Sequence, residues 1–358
     1  MMSTGSLGLR LSLGLMCAAM LAASPSLAQQ AAAPPAERPT IGVEADGALR
    51  LPAQTIPMSP LMSPELQASL RRYFRESRDP KFTVPRADGS TLIHQEDADV
   101  QDKMIPVNKD DTTVGGVHVV VYTPKEGLSA KTKNRVLIWL HSAGCWAGCA
   151  QLGAQPIAYY GKYKVVAVDY KDPAFPRAVG QVADVYKALL KTHKPQNIGI
   201  YGCSRGGLLV ARSLAWFQKQ KLPTPGAAGI LCASAGPGAE GDSYYTGSEL
   251  GNGSVPKGPP GNDPELGLDP SDPMGAPAHS LDILAKFPPT LMITATRGLE
   301  MSSAVYTHEA LDRAGVESDL HVFEGGRHSF WYDPTTPESQ QVYKIIIKYF
   351  DRHLGKSK

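Results

Sequence analysis

The chain has 358 residues, 42% of them hydrophobic and 20% charged, and a formal net charge of +2. That is ordinary globular composition, without the basic excess that would draw a protein to nucleic acid or to an acidic membrane surface. No histidine sits at ligand spacing beside the cysteines, so there is no zinc pattern, and nothing in the sequence implies a metal or an organic cofactor.

Residues 1–28 read as a secretory signal. Arg10 closes a short leading segment, Leu11 to Ala23 is apolar, and Ser26-Leu27-Ala28 has the small-x-small form of a cleavage site. The apolar run is too short to span a bilayer stably, and Met16 before Cys17 is too large for a lipid-attachment motif. The expectation is an exported protein, periplasmic or secreted, with no membrane span. An Ala/Pro/Gln-rich stretch over 29–60 reads as a flexible leader, which leaves 61–358 for one α/β domain. In an oxidising compartment Cys145 and Cys149 are spaced to close a small loop. Cys203 and Cys232 each follow an expected strand and are either bonded or simply buried thiols.

Leu61 to Arg75 has helical spacing, with Leu66, Leu70, Tyr73 and Phe74 on it, and predicts a helix lying over the domain. Val117 to Tyr122 alternates and is β-branched, as in a strand near a sheet edge. Five short runs are apolar without a break: Val136–Leu140, Val165–Val168, Ile198–Tyr201, Gly229–Leu231 and Thr290–Thr294. Such runs suit strands covered on both faces, as in a parallel sheet. Helical patterns lie between them, at Val179–Leu190, Leu208–Trp216 and Ser302–Ala314, the last stopped by Gly315. Leu320–Phe323 predicts a final strand. A last helix is expected from Pro337, capped by Thr336, with Val342, Ile345, Ile346 and Tyr349 as its stripe. The alternation predicts a doubly wound, mostly parallel α/β sheet. Residues 236–280, rich in Gly, Pro, Asp and Ser, break the rhythm and read as a loop or cap insertion.

Gly202-Cys203-Ser204-Arg205-Gly206 falls between an expected strand and an expected helix. A Gly-x-Ser-x-Gly pentad in that place marks a nucleophile elbow, a turn so sharp that the serine hydroxyl stands above the sheet. Acyl transfer by a serine needs a base, an acid to orient the base and backbone donors for the oxyanion. His328, in Phe323-Glu-Gly-Gly-Arg-His328-Ser-Phe after the last expected strand, is the candidate base. The loop His141-Ser142-Ala143-Gly144 and the amide of Arg205 are the candidate donors.

The chain resembles the hormone-sensitive-lipase-like branch of the α/β-hydrolases, bacterial esterases, from about Val117 to Leu354. The resemblance rests on Trp139-Leu-His-Ser-Ala-Gly144, Val168-Asp-Tyr170, Phe175-Pro176, Asn197 through Gly207, Phe287 through Thr294 and Gly315 through Gly325. It implies Ser204 as nucleophile, His328 as base, and Ala143, Gly144 and Arg205 as oxyanion donors, with a small ester as substrate. Four features depart from the family. Ser142 and Ala143 replace glycines, Arg205 replaces a small residue, the segment between Tyr170 and Phe175 is short, and Gly298 stands where the family has its triad aspartate.

Three readings of the acid follow. Glu300, two residues on in the same loop, is the provisional acid; Glu240 or Asp242, after the neighbouring strand, is the alternative; or no effective acid exists. An exported serine esterase is expected on the first two. On the third the chain is a weakened or inactive hydrolase that binds a ligand or partner. The fold also hosts peptidases and amidases. Arg205 and Arg327 flank Ser204 and His328. If both project into the mouth they favour a carboxylate-bearing ester; otherwise they face solvent or pair with Glu240, Asp242 or Glu300.

Overall fold

The computed structural model describes residues 40–84, 91–143, 150–170, 174–256, 258 and 271–356. The chain divides into two compact units, Met1–Thr55 and Ile56–Lys358. In the first, within the stretch read as a leader, Gly42–Val43 pairs antiparallel with Leu49–Arg50, and Arg50 reaches Glu44 at 2.5 Å. The signal segment at 1–28 lies outside the described residues, as does 29–39 of the leader.

In the second unit eight strands form one sheet among the described residues. They are β1 (Val107–Val114), β2 (Val117–Pro124), β3 (Val136–Leu140), β4 (Lys164–Val168), β5 (Ile198–Cys203), β6 (Ala227–Leu231), β7 (Thr290–Arg297) and β8 (Ser318–Arg327). Their order across the sheet is β1-β2-β4-β3-β5-β6-β7-β8. β2 runs antiparallel to both β1 and β4, and every other pairing is parallel. The crossover from β3 to β4, and the step back to β5, put a switch point at the C-terminal ends of β3 and β5, where ligands bind in open α/β sheets.

The central strands are apolar throughout because both faces are covered. Along β3, Val136, Ile138 and Leu140 enter one core and Leu137 and Trp139 the other. The first core is roofed by α4 (Arg177–Leu190), α5 (Arg205–Lys219) and α6 (Met301–Arg313), and the second by α1 (Pro64–Glu76), α3 (Gln151–Gly161) and α7 (Pro337–His353). α1 starts at Pro64 because Ser63 caps it, accepting from the Leu66 amide at 3.0 Å. α7 starts the same way, with Thr336 accepting from Ser339. Gly315, at φ +73°, follows α6.

Several elements differ from the sequence-based expectation. β1 is the sheet edge, outside β2; its Val-Asn-Lys-Asp-Asp-Thr-Thr-Val run is mostly exposed and shows no apolar alternation. α2 (Gln95–Met104) buries polar Asp97 and Gln101, and α3 is built largely of small and polar residues, so neither shows an amphipathic stripe. Within 236–280 a helix at Asp242–Gly247 runs into a wider turn at Ser248–Asn252. Among the described residues no helix is long and apolar enough to cross a membrane.

Candidate active site

β5 ends at Cys203 and α5 begins at Arg205, so Ser204 alone makes the turn. Its backbone sits at φ 59° and ψ −125°, a left-handed conformation costly for a residue with a Cβ. The structure over-determines it. The Ser204 amide donates to Leu231 O at 2.9 Å, and the Leu208 amide donates to Ser204 O at 3.1 Å. The flanking glycines are required by space. A Cβ on Gly202 would meet Gly206 O at 2.4 Å, and one on Gly206 would meet Leu140 O at 2.0 Å.

Above this turn three side chains form one line. Ser204 Oγ lies 2.8 Å from His328 Nε2, and His328 Nδ1 lies 2.8 Å from Glu300 Oε2. His328 follows the end of β8, and Glu300 stands at the N-terminal end of α6, just beyond β7. The other Glu300 oxygen, Oε1, accepts from Thr294 Oγ1 at 3.1 Å. Burial alone would raise the Glu300 carboxyl. Burial is the largest single influence, but the charge of the adjacent imidazole and hydrogen bonds from His328, its own amide and Thr294 together outweigh it and hold the group below its usual range. Burial alone would lower His328, but the Glu300 charge and hydrogen bond raise it above its ordinary 6.5. Glu240 and Asp242 are elsewhere. The Glu240 backbone bonds Ser303, its side chain borders a separate recess with His279 and Tyr306, and Asp242 is exposed in the first turn of its short helix.

The loop after β3 is braced from beneath. Ser142 Oγ donates to Cys203 O at 3.0 Å and also meets the Tyr332 hydroxyl. His141 stacks on Tyr170 with ring centroids 4.1 Å apart, and the Tyr170 hydroxyl donates to His141 O. Ser142 therefore ties the loop to the elbow. Ala143 is absent from the described non-glycine residues with positive φ, so its Cβ meets no left-handed strain. Ala143 and Arg205 both line the cavity over Ser204; Gly144, with Cys145 and Cys149, lies outside the described residues. Arg205 opens α5, and the N-terminal end of a helix favours negative charge. Thr294, Tyr332 and the brace at Ser142 carried no sequence signal, since each acts through a fold-dependent contact.

Arg327 is not at the mouth. It is buried, its guanidinium lies 3.7 Å from the centroid of the Tyr73 ring of α1, and its Nη1 donates to His328 O at 2.5 Å. The reason is its place at the end of β8, from which the side chain turns onto α1. A paired-arginine anion site with Arg205 is thereby excluded. Cys203 and Cys232 are free, buried thiols, with Cys203 Sγ 3.2 Å from Ser329 Oγ.

The cavity over Ser204 measures about 230 Å³, with Leu208, Ala233, Gly238, Ala239 and Leu299 among its walls. A larger groove of about 590 Å³, bordered by Tyr160, Tyr343, Lys344 and Lys348, contains none of these three residues. Among the described residues no cluster of His, Cys, Asp and Glu is suited to a metal ion.

Residues 137–332 match the model of a family described as the alpha/beta hydrolase fold. A crystal structure of an esterase E25 is similar at 26% identity, with a TM-score of 0.72, over 85% of this chain and 98% of that one. An esterase from the bacterial hormone-sensitive lipase family superposes with a TM-score of 0.67 at 22% identity, over 82% and 99% of the two chains. The esterase EstE5, soaked with ethyl alcohol, gives 0.67 at 20%, over 81% and 98%. No curated protein matches the sequence. The strand order, the elbow and a family match over more than half of the chain agree, and the chain belongs to the alpha/beta hydrolase fold family.

Proposed function

We propose that this protein is an exported serine hydrolase that cleaves small carboxylic esters through an acyl-enzyme on Ser204. The observation that carries the reading is the unbroken hydrogen-bonded line from Ser204 through His328 to Glu300. Family membership and the esterases among its structural neighbours support ester hydrolysis in general.

His328 Nε2 takes the Ser204 proton as Oγ attacks the ester carbonyl carbon, forming the tetrahedral intermediate. Glu300 accepts from Nδ1–H, which keeps Nε2 free to receive that proton and stabilises the imidazolium that results. The oxyanion is met by the amide of Arg205 together with that of Ala143, Gly144 being a further donor that the resemblance implies. The imidazolium then protonates the departing alcohol, and the same histidine activates water to release the acid. A cavity of about 230 Å³ suits a short acyl chain. Export rests on the 1–28 segment as read in the sequence.

The test is hydrolysis of p-nitrophenyl acetate and butyrate. Ser204→Ala is expected to lower kcat by roughly 10⁴-fold or more, and Glu300→Gln by about 10²- to 10⁴-fold. The base must be neutral to act, so kcat/KM should rise with pH through a pKa above the ordinary histidine value, and Glu300→Gln should move that limb to lower pH. If Ser204→Ala is no slower than wild type, a binding role for the pocket takes the place of catalysis.

A further inference from the structure

We infer that Gly298 is a positioning residue for the catalytic carboxylate. Resting on the proposed function above, the inference is that the missing side chain at 298 is what allows Glu300 to reach His328. Gly298 sits between the end of β7 and the start of α6. A Cβ built on it would lie 2.7 Å from Glu300 Oε1 and 3.1 Å from both Glu300 Cδ and Ala295 O. Real Cβ atoms do not approach another heavy atom to 2.7 Å, so something must move.

The backbone is poorly placed to yield. The Gly298 amide donates to Ala295 O at 2.9 Å, the Met301 amide donates to Gly298 O at 3.2 Å, and a Cβ on Gly247 would meet Gly298 O at 2.6 Å. The backbone of 298 is therefore turn-bonded on one side and closely packed on the other. The Glu300 side chain is the soft partner, and its far end is the group that orients His328. Displacing Oε1 swings the carboxylate off both Thr294 Oγ1 and His328 Nδ1, because all three contacts share one planar group. A methyl group at 298 thus acts on the protein through the carboxylate that orients His328 and leaves the backbone in place, a combination that a purely structural glycine does not produce.

The experiment compares wild type, Gly298→Ala, Glu300→Gln and the double variant in p-nitrophenyl butyrate hydrolysis, with thermal unfolding of each and Ser204→Ala as the reference for loss of catalysis. Gly298→Ala should lower kcat by about tenfold or more with KM nearly unchanged, and move the acid limb of kcat/KM to lower pH. Its Tm should fall no further than that of Glu300→Gln, because both disturb the same buried carboxylate. In the double variant the two losses should not multiply, because both act through the same carboxylate. Unchanged kcat and pH profile in Gly298→Ala, beside clear losses in Ser204→Ala and Glu300→Gln, overturn this inference alone. A fall in Tm well beyond that of Glu300→Gln, or losses that multiply in the double variant, also overturn it in favour of a packing role. If Ser204→Ala and Glu300→Gln both match wild type, it is the proposed function that fails, and the assignment of Gly298 falls with it.

Discussion

Ser142 shows how a single side chain changes meaning once its neighbours are known. As a replacement for glycine in an oxyanion loop it reads as damage. In the structure its hydroxyl joins the carbonyl of Cys203, the residue before the nucleophile, to the buried hydroxyl of Tyr332. Removing a buried hydroxyl leaves its former partners unsatisfied, at a cost of roughly 1–3 kcal/mol. Ser142→Ala should therefore lower unfolding free energy in urea by about that amount. It should also reduce kcat while changing KM little, because the loop it holds carries the proposed oxyanion donors. A variant with wild-type stability would show that the hydroxyl is not a brace. Glu300 belongs to the same class of residue. The sequence put it ahead of Glu240 and Asp242 because it lies in the loop where the family has its acid, but did not show the contact itself, since reach to His328 depends on where β7 ends and α6 starts.

At the scale of elements, the parts most legible in the sequence were those buried on both faces. β3 was read with its observed bounds, and β4 to β6 with their apolar cores, because a strand covered twice has no polar alternation to blur it. The ends of β7 and β8 were not legible. Residues 296–297 and 324–327 extend these strands with polar and glycine residues, and the extensions lead into Glu300 and His328. The strands that carry the site thus lose their apolar signature where they approach it. β1 was missed for a related reason, being polar and exposed along most of its length.

That polar edge carries its own titration. His118 on β2 lies 2.7 Å from Asp111 on β1 and 2.8 Å from Asp169 beyond β4, and bonds to the two carboxylates raise its pKa. A raised folded-state pKa stabilises fully below the unfolded value and is lost as pH climbs through the folded one. The Tm difference between wild type and His118→Gln should accordingly be larger near about pH 6 than near about pH 9. Because His118 is well exposed, the effect should shrink in high salt. An equal difference at both pH values would remove the charge argument.

Across the whole second unit, segments distant in sequence converge beside one end of the sheet. Ser63 at the start of α1 bonds Glu338 in the first turn of α7, and Arg72 pairs with both Asp97 and Asp333. Tyr73 covers Arg327, which in turn holds the His328 carbonyl. The sequence reading anticipated a helix lying over the domain at this position but not what it rests on, because an Arg–Tyr stack across more than two hundred residues leaves no local trace.

His328 hangs from β8, the outermost strand, whose one strand neighbour is β7. Catalysis therefore depends on the margin of the sheet, while the fold depends on its middle. Strand margins open locally at lower free energy than the whole domain. Heating should consequently silence the enzyme before it melts it. Residual esterase activity measured at temperature should decline several degrees below the ellipticity transition (about 2–4 °C per kcal/mol at this size) and return in full on prompt cooling. Superimposable curves would mean that β8 comes away only when everything does. If the activity fails first, its heat tolerance is raised most effectively by fastening β8, with the core left as it is.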